Sequence, residues 1–266
     1  MNYFIEGLQG SGKSTLAGKL SEKCGGRLFR EGDYSPVELA WCAYLSEDCL
    51  EDIMARHPDL RTKTAAQTFD EDGRKIVCYT RIPTEDTGFY KDMEQHEIYN
   101  GRLPLDKFKD IVLRRYNAWN GSGQIFECSL FQNTIEDMIL FRDLPDEEII
   151  GFYREAAKTL EGKDFRIMYL KTENIAQSIL VIRKERTDGR EKEIWYDMML
   201  GFFNNSSYAK AHGVSGNGAM IEHFAHRQQL ELRICREIFP ERSIILGSKS
   251  YTDDDIEKIT KGAWKL

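Results

Sequence analysis

One stretch constrains this chain more than any other: Gly7-Leu8-Gln9-Gly10-Ser11-Gly12-Lys13-Ser14-Thr15 satisfies G-x-x-x-x-G-K-[ST] at every position. Glycines at these places let the backbone take conformations closed to other residues, so successive N–H groups can turn inward on one anion. Tyr3-Phe4-Ile5 reads as a strand entering the loop. Lys13 to Cys24 has helical spacing through Leu16, Leu20 and the small residues Ala17 and Gly18. A helix beginning there adds its positive end to the same anion. In this pattern the lysine, Lys13, reaches the β and γ phosphates of a nucleotide, and the Ser14 hydroxyl completes a Mg²⁺ shell. The candidate binding set is therefore Gly7, Gln9, Gly10, Ser11, Gly12, Lys13, Ser14 and Thr15, with ATP and Mg²⁺ as the ligands it calls for.

The rest of the chain alternates short apolar strands with helical segments, which predicts an α/β fold with a parallel sheet. Strands are expected at Tyr3–Ile5, Arg27–Arg30, Gln124–Cys128, Phe165–Leu170 and Ser243–Leu246, giving five. Pro36 suits the first turn of a helix over Val37 to Leu45. Thr64–Phe69 and Lys75–Tyr79 around Asp72-Gly73 read as a β-hairpin, with helical pattern at Thr87–Asn100 and Leu105–Trp119. Further helices are expected over Asp146–Leu160, Ile175–Arg186, Glu193–Lys210 and Ala219–Ile238. At 266 residues, the chain reads as one domain spanning 1–266. It carries an insert at about 45–120 and a helical lid at about 183–215.

Composition narrows the partners. Lys and Arg number 37 against 44 Asp and Glu, a net charge of −7 that disfavours a nucleic-acid partner. The six cysteines are scattered without a C-x-x-C pair and read as reduced, mostly buried thiols. No apolar run is long enough to cross a membrane, and the first residues form a strand rather than a secretory leader, so a cytoplasmic enzyme is the default expectation.

With its complete glycine-loop match and this strand-loop-helix order, the sequence resembles the P-loop kinases, the nucleotide and small-molecule kinase branch of the P-loop NTPases. The resemblance implies a five-stranded P-loop sheet with ligands beyond the carboxyl ends of its strands. It gives a catalytic role to a carboxylate after the second strand, where both Glu31 and Asp33 fit and Asp33 is favoured; an ordinary Asx turn is the rival reading. It also implies that Glu127, after the third strand, holds a magnesium-bound water. The Glu127-Cys128-Ser129 run is similar to the Glu-Arg-Ser of deoxynucleoside kinases, with Cys128 in the arginine's place. Arg183 and Arg186, three apart on one helix face, match the lid that closes over the phosphates, and Arg190 is a weaker member. Gly247-Ser248-Lys249-Ser250 falls where such kinases wrap the adenine base.

Tyr34, Trp41 and Tyr44 are candidates for an acceptor pocket if Val37, Trp41 and Tyr44 share a helix face, though core packing explains such a stripe equally well. His223-x-x-His226 lacks a third ligand for zinc, and the acidic run from Ser46 to Asp52 reads as a solvated helix face. The expected activity is transfer of the γ-phosphoryl group of ATP to a hydroxyl or phosphate of a small molecule, a nucleoside or nucleotide first. An antibiotic or other metabolite is the next acceptor. A water-using ATPase or nucleotide-dependent switch is the alternative, although the N-K-x-D and D-x-x-G patterns of GTP switches are absent. The expected partner is the small-molecule acceptor, with a homodimer left open.

Overall fold

The computed structural model describes residues 1–187 and 193–262. The elements run β1 (Asn2–Gly7), α1 (Lys13–Cys24), β2 (Arg27–Phe29), β3 (Ala43–Leu45), α2 (Glu47–Arg56), α3 (Arg61–Ala65), β4 (Thr68–Glu71), β5 (Arg74–Val77), α4 (Thr87–Glu94) and α5 (Leu105–Ala118). They continue through β6 (Gln124–Glu127), α6 (Gln132–Glu136), α7 (Asp146–Thr159), β7 (Phe165–Lys171), α8 (Ile175–Glu185), α9 (Ile194–Asn205), α10 (Ser207–His212), α11 (Gly216–Glu237), β8 (Ser243–Gly247) and α12 (Asp253–Thr260). The chain divides into two compact units, one of Met1–Leu28 with Asn120–Leu266 and one of Phe29–Trp119.

The first unit is built on a five-stranded sheet in the order β2-β6-β1-β7-β8. β1 runs parallel to β6 and β7, and β7 to β8: Ile5 lies opposite Glu127 of β6 and Met168 of β7, and Met168 lies opposite Ile244 of β8. Alternation along β1 sends Tyr3 and Ile5 to one face, where Leu16, Ala17 and Leu20 of α1 and Ile256 and Ile259 of α12 cover them. Phe4 points the other way and stacks on Phe126 with ring centroids 5.0 Å apart. Tyr169 of β7 bonds to Glu231 of α11. Both faces are thus buried at the centre of the sheet, which is why β1 and β7 read as near-continuous apolar runs. The chain leaves β1 toward one edge of the sheet and later returns to build the other, so the carboxyl end of β1 is the switch point where such sheets bind ligands. The α/β fold with a helix-flanked parallel five-stranded sheet is the one expected.

In the second unit, β3, β5 and β4 form an antiparallel sheet. The β4–β5 turn carries Asp72 at φ 50° and Gly73 at φ 73°, two successive left-handed residues that match a tight hairpin. Val77, Tyr79, Ile82, Phe89 and Met93 pack against Leu50, Ile53 and Met54 of α2. Ser46 caps α2 by accepting from the Cys49 N–H, and Glu47, Asp48, Glu51 and Asp52 are exposed, as the solvated-face reading expects.

The chain departs from expectation at several places, among them the helix predicted over Thr87–Asn100, which ends at Glu94. The helix predicted over Val37–Leu45 is absent. Val37, Leu39, Ala40, Cys42 and Ala43 are all buried, leaving no polar face for a helix to show solvent. Trp41 takes a left-handed φ of 61°, and Ala43–Leu45 pairs with β5. Next, Thr64 ends a short helix rather than starting a strand, so the hairpin begins at Thr68. Lastly, the helix predicted over Glu193–Lys210 is split at Ser206, which leaves helical geometry and caps α10 by accepting from the Ala209 N–H at 3.1 Å.

Candidate nucleotide-binding site

Residues 8–12 join β1 to α1 as a loop shaped by its glycines. Gly10 has φ 73°, and a Cβ there would stand 1.9 Å from the Ile182 Cδ1 of α8. Gly12, the residue before α1, has φ 97° and offers no side chain between the helix's first N–H groups and a ligand. Lys13 is buried and lies back across its own loop, its ammonium donating to the Gly7 and Leu8 carbonyls at 2.9 and 2.7 Å. The Ser14 hydroxyl donates to the Glu127 carboxylate at the end of β6. The Ser11 hydroxyl is fully buried with no hydrogen-bond partner.

The 247–250 turn borders this loop. Ser248 donates its hydroxyl to the Ser11 carbonyl at 2.9 Å and its N–H to the Lys171 carbonyl at 2.7 Å. The Lys249 ammonium lies 3.4 Å from a Glu185 carboxylate oxygen at the end of α8. Three chain segments far apart in sequence, 7–15, 182–185 and 247–250, are therefore packed together.

The other predicted site residues have different surroundings. Asp33 lies in the second unit. Its carboxylate accepts from the Arg30 N–H at 2.7 Å and pairs with Arg81 at 2.7 Å. Arg81 also donates to the Glu31 carbonyl at 3.0 Å, so a single guanidinium pins the segment that carries both candidate carboxylates. Arg183 pairs with Glu193 at 2.7 Å and lies 4.3 Å from the Tyr196 ring centroid, and Arg186 lies over Trp195 at 4.8 Å. Arg183 and Arg186 thus share one destination, the start of α9. Arg190 lies outside the described residues.

The aromatic stripe does not form, because its helix does not. Tyr34 stacks on Phe69 with centroids 4.3 Å apart and donates to Glu71, Tyr44 accepts from Arg114 at 3.3 Å, and Trp41 is 45% exposed. His223 and His226 face different carboxylates, Glu136 and Asp146, each at 2.8 Å. No cluster of three or more metal-ligating side chains occurs among the described residues. Nor does any described helix have the length and apolarity to cross a membrane.

A buried polar network behind the loop escaped the sequence reading. Arg227 of α11 is completely buried, bonds the Glu136 carboxylate and lies 3.2 Å from Glu231. Its guanidinium also donates to the Gln9 side-chain oxygen at 2.8 Å, while the Gln9 amide donates to Glu136 at 3.3 Å. Burial raises the Glu136 carboxyl, but Arg227 and His223 outweigh it and bring it down to about 2. Glu6, which precedes the loop on β1, is pushed up to about 8 by burial, despite accepting from the Leu130 and Gln132 N–H groups. The sequence signal was present but ambiguous. His223, Arg227 and Glu231 recur every four residues along one helix face, a spacing that surface ion pairs share.

No family profile and no curated protein matches this chain. Among solved structures it is similar to deoxyadenosine kinase from M. mycoides with bound dATP. The alignment covers 98% of each chain at 14% identity, with a TM-score of 0.43. At that level the chemistry of the site must be argued from its own geometry.

The residues around the loop suit a nucleoside triphosphate with magnesium. Glycine-shaped backbone and a helix start offer N–H donors, Lys13 a cation, and Ser14 with Glu127 a hydroxyl and a carboxylate, the hard oxygen donors magnesium takes. One carboxylate plus one hydroxyl is also the sparse donor set expected when phosphate and water complete the octahedron.

Proposed function

We propose that this chain is a P-loop kinase that transfers the γ-phosphoryl group of ATP, with Mg²⁺, to a hydroxyl or phosphate of a small molecule. A nucleoside or nucleotide is the favoured acceptor. The observation that carries the proposal is the Ser14–Glu127 contact beside the Lys13 loop, at the switch point of the sheet. Backbone N–H groups from Gly10 to Ser14 would hold the β phosphate. Lys13 would exchange its two loop carbonyls for phosphate oxygens, neutralising charge that develops on the β–γ bridge. Ser14 and Glu127 would hold the magnesium, which supplies charge neutralisation and geometry to the phosphates.

Asp33, with Glu31 as the other candidate, would orient the acceptor hydroxyl, a role that needs position more than an altered pKa. Arg183 and Arg186 would leave Glu193 and Trp195 for the γ-phosphoryl group, whose spread charge suits guanidinium forks. Without a helix to carry the aromatics, the preference for a nucleoside rests on the layout of the strand ends alone.

The test is ATP turnover by the purified full chain against a panel of nucleosides, nucleotides and hydroxylated metabolites. Release of ADP that depends on one panel member, with a mass gain of one phosphate on it, supports the kinase. Release of ADP and free phosphate with no acceptor would indicate the hydrolase. No nucleotide-dependent reaction at all would overturn both.

A further inference from the structure

Gln9 is the loop's one long uncharged side chain, and both ends of its amide are engaged from behind. The oxygen accepts from Arg227, and the nitrogen donates to Glu136. Swapping the ends would face the amide nitrogen with a guanidinium and the oxygen with a carboxylate, so only one orientation serves both contacts. Behind Gln9 the network continues inward. Glu136 accepts from His223 with its second oxygen, Arg227 sits between Glu136 and Glu231, and Glu231 accepts from the Tyr169 hydroxyl at 2.5 Å. These groups come from α6, α11 and β7, so the network ties the loop to three elements of its own unit.

A buried charge network of this kind is a poor means of gaining stability, since desolvation consumes most of the attraction and apolar packing does as well. It does fix geometry. Gln9 lies directly after the Leu8 carbonyl that Lys13 grips, and directly before Gly10, Ser11 and Gly12 of the same loop. We propose that Arg227, backed by Glu136 and Glu231, is a positioning residue that sets the phosphate loop through Gln9 before nucleotide arrives. Arg227 has no exposed surface and cannot itself meet a ligand. Its effect is pre-organisation: N–H groups already aimed at an anion lose less on binding than groups that must first be ordered. The inference rests on the proposed nucleotide site.

The experiment is calorimetric titration of the full chain with ADP and ATP in magnesium, paired with thermal melts. The variants are Gln9→Ala, Gln9→Asn (too short to reach Arg227), Arg227→Met and the Gln9→Ala/Arg227→Met double. Gln9→Ala and Arg227→Met should each weaken nucleotide binding about tenfold, the low end of what outer partners of a binding group contribute. The double variant should be no weaker than the poorer single, because both act through one contact. Arg227→Lys, which keeps the charge but not the fork, should recover part of the loss. A merely structural Arg227 would lower the melting temperature and leave the dissociation constant of the folded protein unchanged.

Should Arg227→Met fail to fold, the two Gln9 variants decide by themselves: unaltered affinity in both overturns the inference. Multiplying effects in the double variant overturn it as well. A wild-type chain that binds neither nucleotide sinks the kinase reading, whereas wild-type binding with unaltered variants sinks only this one.

Discussion

At the scale of single residues, the site depends on side chains whose present partners are stand-ins for a ligand. Lys13 donates to two loop carbonyls, bonds worth about 1 kcal/mol each net. A triphosphate offers the same ammonium charged oxygens, roughly twice as strong as partners. Lys13→Ala should therefore cost little stability and much activity, about 100- to 1,000-fold in kcat, the usual loss of one positioned charge donor. Stopped assays of ADP release alongside a melt check both halves. Near-normal turnover would remove the loop from the chemistry. Glu127→Gln makes a separate point. It keeps a hydrogen-bond acceptor for the Ser14 hydroxyl but removes the negative charge, so the magnesium concentration for half-maximal rate should rise about tenfold or more. A magnesium titration of the variant at saturating ATP reads this directly, and an unshifted midpoint would take Glu127 out of the metal shell.

At the scale of elements, the phosphate loop is shaped as much by α8 as by its own sequence. The absence of a side chain at Gly10 is what lets Ile182 lie against the loop, and Ile182 immediately precedes Arg183, the residue proposed above to close over the phosphates. Gly10→Ala would impose a left-handed backbone on a residue with a Cβ, at about 1 kcal/mol, and would drive that Cβ into Ile182. The variant should melt several degrees lower and lose nucleotide binding. Adding Ile182→Ala should restore part of the stability, because it removes the collision but not the backbone strain; no recovery would mean that α8 is not the element in contact. Glycine at 7, 10 and 12 was legible in the sequence because the chemistry demands contiguous residues. The central strands β1 and β7 were legible because a strand buried on both faces reads as an unbroken apolar run, and β2, β6 and β8 were legible from shorter apolar stretches. What failed was local. Within residues 37–43 Val37, Leu39, Ala40, Cys42 and Ala43 are apolar because they are buried without forming a helix, which mimics a helix stripe without its period. The Gln9–Glu136–Arg227 network failed for the opposite reason. Its charged pair lies 91 residues apart in sequence, so no window of the chain contains it.

At the scale of the whole molecule, the formal charge of −7 understates how acidity is distributed, because several carboxylates are held away from water. Burial pushes Glu6 and Glu38 up to about 8 and Glu97 up to about 7. Glu136 is brought down to about 2 by Arg227 and His223 against the opposing effect of burial. The two groups act on stability with opposite signs. A carboxyl with a raised folded pKa binds its proton more tightly folded than unfolded. Its contribution is complete below the unfolded value near 4.5 and is lost as pH climbs through 7 to 8. Glu136 contributes above about 4.5 and loses that contribution as pH falls toward 2. Stability should therefore peak at roughly pH 4.5 and decline through pH 7 to 8, each kcal/mol lost lowering the melting temperature about 2–4 °C. Glu38→Gln isolates one term. The carboxamide keeps an oxygen to accept from the Ala40 N–H and has no proton to lose, so the variant's melting temperature should fall less steeply between pH 6 and 9. Growing surface repulsion among the acidic residues would produce a similar decline. However, 1 M salt shortens the screening length to about 3 Å and suppresses surface repulsion while leaving a buried carboxyl largely untouched. Melts of wild type and Glu38→Gln across that range, each in low and high salt, separate the causes: the difference in slope should survive salt. Equal slopes in 1 M salt would show that Glu38 titrates no differently folded than unfolded, and would move the origin of the alkaline decline to the surface.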